Sequence, residues 1–203
     1  KQLEKESVRG QIFVTGNPIV DASLQHADMA KARSEILKKL NLSPQGYILL
    51  TTHREENVDS KDKLKNILEG AARASEKLNL PVIFPAHPRT QKRLKEFELE
   101  NFLKNLNQIM TIDAVSYFDF TVLLINSALV LTDSGGVQQE ACIHQIPAVT
   151  VRLNTEWVET LESGANVLAG TDPALISTLA YKSTSKKRSW PVPFGDGFSS
   201  VAI

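Results

Sequence analysis

The 203-residue chain has a single cysteine, Cys142, which excludes a disulfide within it and suits a reducing compartment; the expected location is the cytoplasm. No apolar stretch approaches the ~18 residues that a membrane-spanning helix requires. Neither sign of charge is in surplus, since Lys+Arg and Asp+Glu both number 23. That balance gives no general attraction to nucleic acid or to an anionic membrane, although it says nothing of one local pocket. The patterns G-x-G-x-x-G and G-x-x-x-x-G-K-[ST] are missing, which argues against a nicotinamide site and a P-loop. H-E-x-x-H is missing too, and no cysteine lies near a histidine at a strand end, so no metal is expected. The opening "KQLEKESVRG" lacks both an initiator methionine and an apolar segment behind its charges. It is not expected to be a signal peptide, and the chain is expected to be a piece of a longer one.

What is present is a rhythm of short β-branched runs and longer amphipathic segments. The runs at 11–16, 47–52, 81–86, 108–113, 128–133, 147–151 and 166–170 are continuous rather than alternating. Continuous apolar runs are expected of parallel strands covered on both faces. Between them, Leu64, Ile67, Leu68, Ala71, Ser75 and Leu78 form one stripe at helical spacing, with Ser60 placed to cap the helix. A second helix is expected over 90–106, broken near Asn101, and a buried one over 116–127. The fold class that follows is α/β, a Rossmann-like doubly wound parallel sheet. The stretch 183–197, rich in Pro and Gly, reads as an extended connector outside the core. The expected division is a nucleotide-binding domain over 1–190 and a C-terminal connector over 191–203.

Ligands bind such sheets at the carboxyl ends of the strands. His53, Arg54, Glu55, Glu56 and Asn57 follow one run, and His87 and Arg89 follow the next. His26 and His144 fall inside expected helices and read as packing or surface residues. Cys142 reads as a small buried hydrophobe.

The stretch "TDSGGVQQEA" (132–141) turns at once from strand to helix. A tight turn capped by Asp133 or Ser134, with Gly135 in an unusual backbone angle, accounts for one glycine but not two. No capping box assists, because Val137 occupies the place of a Glu or Gln. Two glycines without Cβ let an anion approach the free N–H groups of a helix start, and the Ser134 hydroxyl can donate to the same phosphate. Glu140 lies one turn beyond Gly136 on the same side, where a carboxylate would repel phosphate but accept from two vicinal hydroxyls. Phosphate on one turn and a diol on the next describe a nucleotide.

The segments "VTGNPIVDA", "TTHREENVD", "FPAHPRT", "LTDSGGVQQEA", "TEWVETLESGANVLAG" and "PFGDG" occur in that order. Together they resemble the non-hydrolysing UDP-N-acetylglucosamine 2-epimerases over nearly the whole chain. The resemblance implies the C-terminal half of a GT-B two-domain architecture, with the catalytic carboxylates on an absent N-terminal domain. It implies a UDP-sugar partner, interconversion of UDP-GlcNAc and UDP-ManNAc by UDP elimination and re-addition, and no cofactor. Service to cell-envelope polysaccharide synthesis and a homodimeric full-length protein belong to the same implication. Residue by residue, it puts His53 at the departing diphosphate and Ser134, Gly135 and Gly136 around the phosphates. Glu140 goes to the ribose, Val115 and Phe120 to the uracil, and Arg54 and His87 to a second UDP-sugar acting as activator. One departure stands out: where the family often has an arginine in "TERPE", this chain has Trp157. An indole cannot supply that charge, so either Arg152 or a lysine replaces it or the grip or sugar differs. A UDP-2,3-diacetamido-sugar epimerase and a GT-B glycosyltransferase domain are the alternatives; the "HREEN" and "DSGG" pair favours an epimerase.

Overall fold

The computed structural model describes residues 5–6 and 10–203. Two helices open the described body, α1 (Pro18–Arg33) and α2 (Ile36–Lys39). Asn17 caps α1 by accepting from the Ile19 N–H, and Pro18 enters where no amide hydrogen is needed. The alternating part then runs β1 (Ile48–Thr51), α3 (Glu55–Val58), α4 (Lys61–Leu78), β2 (Val82–Ala86), α5 (Pro88–Glu96), α6 (Glu100–Asn105), β3 (Ile109–Asp113) and α7 (Tyr117–Ile125). It continues through β4 (Leu129–Thr132), α8 (Gly135–Ile143), β5 (Ala148–Thr150), α9 (Val158–Glu162), β6 (Asn166–Leu168), α10 (Pro173–Thr184) and α11 (Ser199–Ala202).

The strands form one six-stranded sheet in the order β3-β2-β1-β4-β5-β6, every pair parallel. This is the Rossmann-like doubly wound order, and the strand sequence reverses between β1 and β4. Successive side chains of a strand point to opposite faces, so each strand feeds two cores. Ile48 and Leu50 pack with Leu64, Ile67, Leu68 and Ala71 of α4 and with Ile176 of α10. Tyr47 and Leu49 pack on the other face with Leu123 and Leu124 of α7 and Ala141 of α8. The Tyr47 hydroxyl donates to the Leu123 carbonyl at 2.7 Å, and burial pushes its pKa up. Burial on both faces therefore explains the continuous apolar runs of β1, β2, β4 and β5, whereas the edge strand β3 is largely exposed beyond Ile109.

Three expectations need correction. Residues 11–16 form no strand. Phe13 and Val14 are exposed there, and the Asn17 N–H bonds to the Phe194 carbonyl rather than to a ladder. The break expected near Asn101 in the segment 90–106 is present but falls earlier: α5 starts at Pro88, and the chain breaks at Phe97–Leu99, where Glu98 takes φ +56°. The stretch 183–197 is extended in its later part but not outside the core: Phe194 is buried with Val20, Cys142, Ile143 and Ala165. Beyond it, the Ser199 and Ser200 N–H groups donate to the buried Asp21 carboxylate at 3.2 and 3.0 Å and tie α11 to α1.

Candidate functional site

The crevice between the carboxyl ends of β1 and β4 is where such a sheet binds its ligand. Thr51 pairs with Thr132 in the ladder, and the next residues of both strands, Thr52 and Asp133, are buried. Asp133 is not the helix cap that the turn suggested. Its carboxylate accepts from the Thr52 hydroxyl (2.6 Å), the His53 N–H (3.1 Å), the Arg54 N–H (3.0 Å) and the Asn57 amide (3.1 Å). The Asn57 amide also donates to the Val151 carbonyl at 3.1 Å. A fully buried carboxylate is tolerable because these donors replace water. Their joint effect is to clamp the lip after β1, which carries His53 and Arg54, to the end of β4. The His53 Nδ1 stands 3.6 Å from an Asp133 oxygen, and its ring is partly exposed to the crevice.

The start of α8 lies beside this clamp. Ser134 occupies the cap position, and its N–H is used by the Thr132 hydroxyl at 3.0 Å, but its side chain makes no cap bond. The first-turn N–H groups of a helix have no partner within it, so this end presents unclaimed donors. Neither glycine has a positive φ, so the expected unusual backbone angle is not their reason. The two differ in what surrounds them. A Cβ on Gly135 would lie 2.8 Å from the Trp157 Nε1, whereas a Cβ on Gly136 would meet nothing within 4 Å. Gly135 makes room for the indole, and Gly136 leaves the helix start open to solvent.

Trp157 itself is braced edge-on by Phe194, with ring centroids 5.8 Å apart. Arg152, the candidate for restoring the absent arginine's charge, is already engaged. It is buried, donates to Glu156 at 2.9 and 3.1 Å, and also bonds to Glu56. Those bonds hold the Glu156 carboxyl down at about 2. The Arg54 guanidinium lies 3.8 Å from the same Glu156.

Glu140, one turn into α8, accepts from the Tyr117 hydroxyl at 3.2 Å. Burial raises its pKa, while the Tyr117 bond works in the opposite direction. Val115 and Phe120, on either side of Tyr117, are half-buried against the core that α7 and α8 share. His26 of α1 packs edge-on against Tyr117 at 5.4 Å, which fits the packing role read from the sequence. On the opposite side of β1, His87 faces His53 with ring centroids 5.6 Å apart. Its Nδ1 accepts from the Arg89 N–H at 3.2 Å and so caps α5. Arg89 is paired with Glu55 (2.7 Å) and Asp59 (2.6 Å), and it holds the Asp59 carboxyl below its ordinary range with help from Arg93.

The structure thus brings His53, Arg54 and His87 together on one lip, and Ser134, Gly135, Gly136 and Glu140 along one helix. Sequence reasoning missed Asp133 and Tyr117. The available signal for Asp133 was a carboxylate directly behind a continuous apolar strand; for Tyr117, 23 residues before Glu140, there was none. A cavity of about 600 Å³ lies elsewhere, between α5, α6 and the edge strand β3, and has Leu94, Leu103 and Ile109 in its lining. Neither His53, Arg54 and His87 nor the start of α8 lines it. Among the described residues, no group of three or more His, Cys, Asp or Glu is placed to hold a metal ion. No helix among them is long and apolar enough to cross a membrane.

A family model described as UDP-N-acetylglucosamine 2-epimerase matches residues 1–203. The UDP-N-acetylglucosamine 2-epimerase of Methanocaldococcus jannaschii is 46% identical over 195 residues, 95% of this chain and 53% of that protein. The enzyme of the same name from Methanococcus maripaludis is 42% identical, over 98% of this chain and 55% of its own. The UDP-2,3-diacetamido-2,3-dideoxy-D-glucuronate 2-epimerase of Pseudomonas aeruginosa is 42% identical, over 89% of this chain and 48% of its own. The crystal structure of the M. jannaschii enzyme with UDP-GlcNAc and UDP superposes with a TM-score of 0.88, covering 97% of this chain and 54% of that one. The chain therefore spans about half the length of the relatives it matches.

Proposed function

The chain belongs to the UDP-N-acetylglucosamine 2-epimerase family, and from that premise we propose that it is the nucleotide-holding half of a GT-B enzyme interconverting UDP-GlcNAc and UDP-ManNAc. The observation that carries the proposal is the uncapped start of α8 at the switch point, opened to solvent at Gly136. A diphosphate fits there because the first-turn amides and the helix dipole both favour an anion. Two relatives whose names share UDP and differ in the sugar are 46% and 42% identical to this chain. That closeness suits a half that grips the nucleotide rather than the sugar.

In this proposal Ser134, Gly135 and Gly136 hold the phosphates, and Glu140 accepts from the ribose hydroxyls about 6 Å further along the helix, four residues at 1.5 Å each. Val115 and Phe120 flank the uracil, the half-buried ring offering a flat apolar wall. The reaction removes the C2 proton of the sugar as the C1–O bond to UDP breaks, leaving a C1=C2 double bond in a 2-acetamidoglucal. UDP then adds back to C1, and a proton returns to C2 on the other face. Charge grows on the departing diphosphate, and the helix start with His53 stabilises it. The base that takes the C2 proton belongs to the other half of the enzyme. Arg54 and His87, across the lip from the phosphates, would meet a second UDP-sugar acting as activator. Residues 191–203 would serve as the connector between the halves, and the buried thiol of Cys142 suits a reducing cytoplasm.

Calorimetry tests the nucleotide grip. The chain is expected to bind UDP weakly and to show no epimerisation alone. No binding at millimolar UDP would remove the phosphate site, and turnover by this chain would overturn the placement of the base. Glu140→Ala is expected to weaken UDP more than inorganic diphosphate, since only UDP carries a ribose.

A further inference from the structure

A glutamate on a helix surface has three rotatable side-chain bonds and loses rotamer freedom on binding any ligand. Glu140 is held by a side chain of the same chain. The Tyr117 hydroxyl, from the start of α7, reaches across to one of its oxygens at 3.2 Å. Tyr117 is held in turn: the His26 ring of α1 packs against it edge-on, and Phe118 lies beside both rings. Burial and the neighbouring Glu140 charge raise the phenol's pKa, so it stays a donor toward the carboxylate. An ionised carboxylate has about four acceptor positions. Tyr117 takes one, and a vicinal diol needs two.

We propose that Tyr117 is a positioning residue for the ribose subsite, fixing the Glu140 carboxylate so that it discriminates a ribonucleoside diphosphate from its 2′-deoxy counterpart. The inference rests on the nucleotide reading above. Its ligand class is a nucleoside diphosphate with both ribose hydroxyls free. Tyr117 acts through Glu140 and needs no contact with the ligand itself.

The test is calorimetry on the full chain with UDP, 2′-deoxy-UDP and inorganic diphosphate. The unaltered chain is expected to prefer UDP to 2′-deoxy-UDP. Tyr117→Phe, which keeps the ring against His26, is expected to lower UDP affinity about five- to tenfold, the worth of a typical hydrogen bond, and to leave diphosphate binding unchanged. In a Glu140→Ala background the same change should alter UDP affinity by less than about twofold, because its route is gone. An undiminished preference for UDP in Tyr117→Phe would overturn the proposal. So would an equal loss for UDP and diphosphate, or the same loss with Glu140 already removed. Failure of the unaltered chain to bind UDP would instead overturn the nucleotide reading itself, and this inference with it.

Discussion

Helices α5 and α8 both begin at the carboxyl ends of sheet strands, β2 and β4, and they begin differently. In α5 the His87 side chain accepts the Arg89 N–H, and Pro88 contributes no amide hydrogen. Arg89 is bound by Glu55 and Asp59. That end is closed by its own residues. In α8 the Ser134 side chain makes no cap bond, and Gly136 is open to solvent. A helix start left without a cap forgoes about 1 kcal/mol of stability, and the proposed phosphate site assigns that uncapped start, α8 and not α5, to an anion.

Five changes probe that contrast, in descending order of effect. Asp133→Ala should be the most damaging, because it orphans donors on Thr52, His53, Arg54 and Asn57 together. A loss of roughly 4 kcal/mol in urea unfolding is expected from that many unsatisfied groups. Gly135→Ala drives a methyl into the Trp157 indole, at about 2 kcal/mol of overpacking, measured the same way. His87→Ala opens α5 and should cost about 1 kcal/mol; an equal gain of diphosphate binding at α5 would erase the distinction between the two ends. Gly136→Ala should stabilise by up to about 1 kcal/mol through helix propensity while weakening UDP, so stability and binding move apart. If both glycines respond alike, the division of labour between them is wrong.

The last change concerns pH. Burial raises the Glu140 pKa above its ordinary value of 4.5, so the folded chain holds that proton more tightly than the unfolded one. Wild-type stability attributable to this group therefore falls as pH rises from 4.5 through the folded value. Glu140→Gln should raise the thermal midpoint modestly at pH 7, and the gain should vanish below the ordinary glutamate range. A gain that persists in acid would mean packing, not charge, is responsible.

The sheet was legible in the sequence because the stretches 48–50 and 128–131 are apolar at every position, as strands buried on both faces require. The run at 11–16 has the same chemistry and forms no strand, since a β-branched stretch also needs a neighbouring edge to pair with. That Gly136 and Glu140 share one helix was legible from their spacing. Only the backbone-angle reading of Gly135 failed, because its neighbour Trp157 lies 22 residues away and no local pattern announces it. Asp133 was misread for the same reason: its donors come from another strand. Arg152 looked free in sequence and is committed to Glu56 and Glu156, which only the folded arrangement reveals.

The clamp at Asp133 also bears on the time course of binding. One carboxylate joins the His53 lip to the end of β4 through bonds made wholly within the chain. A nucleotide arriving at this crevice meets a surface that needs no prior ordering of that lip. Association with UDP should then appear as a single exponential whose rate climbs linearly with nucleotide concentration, without the plateau that a slow isomerisation would impose. Cutting the clamp should introduce that plateau, converting a one-step encounter into a two-step one.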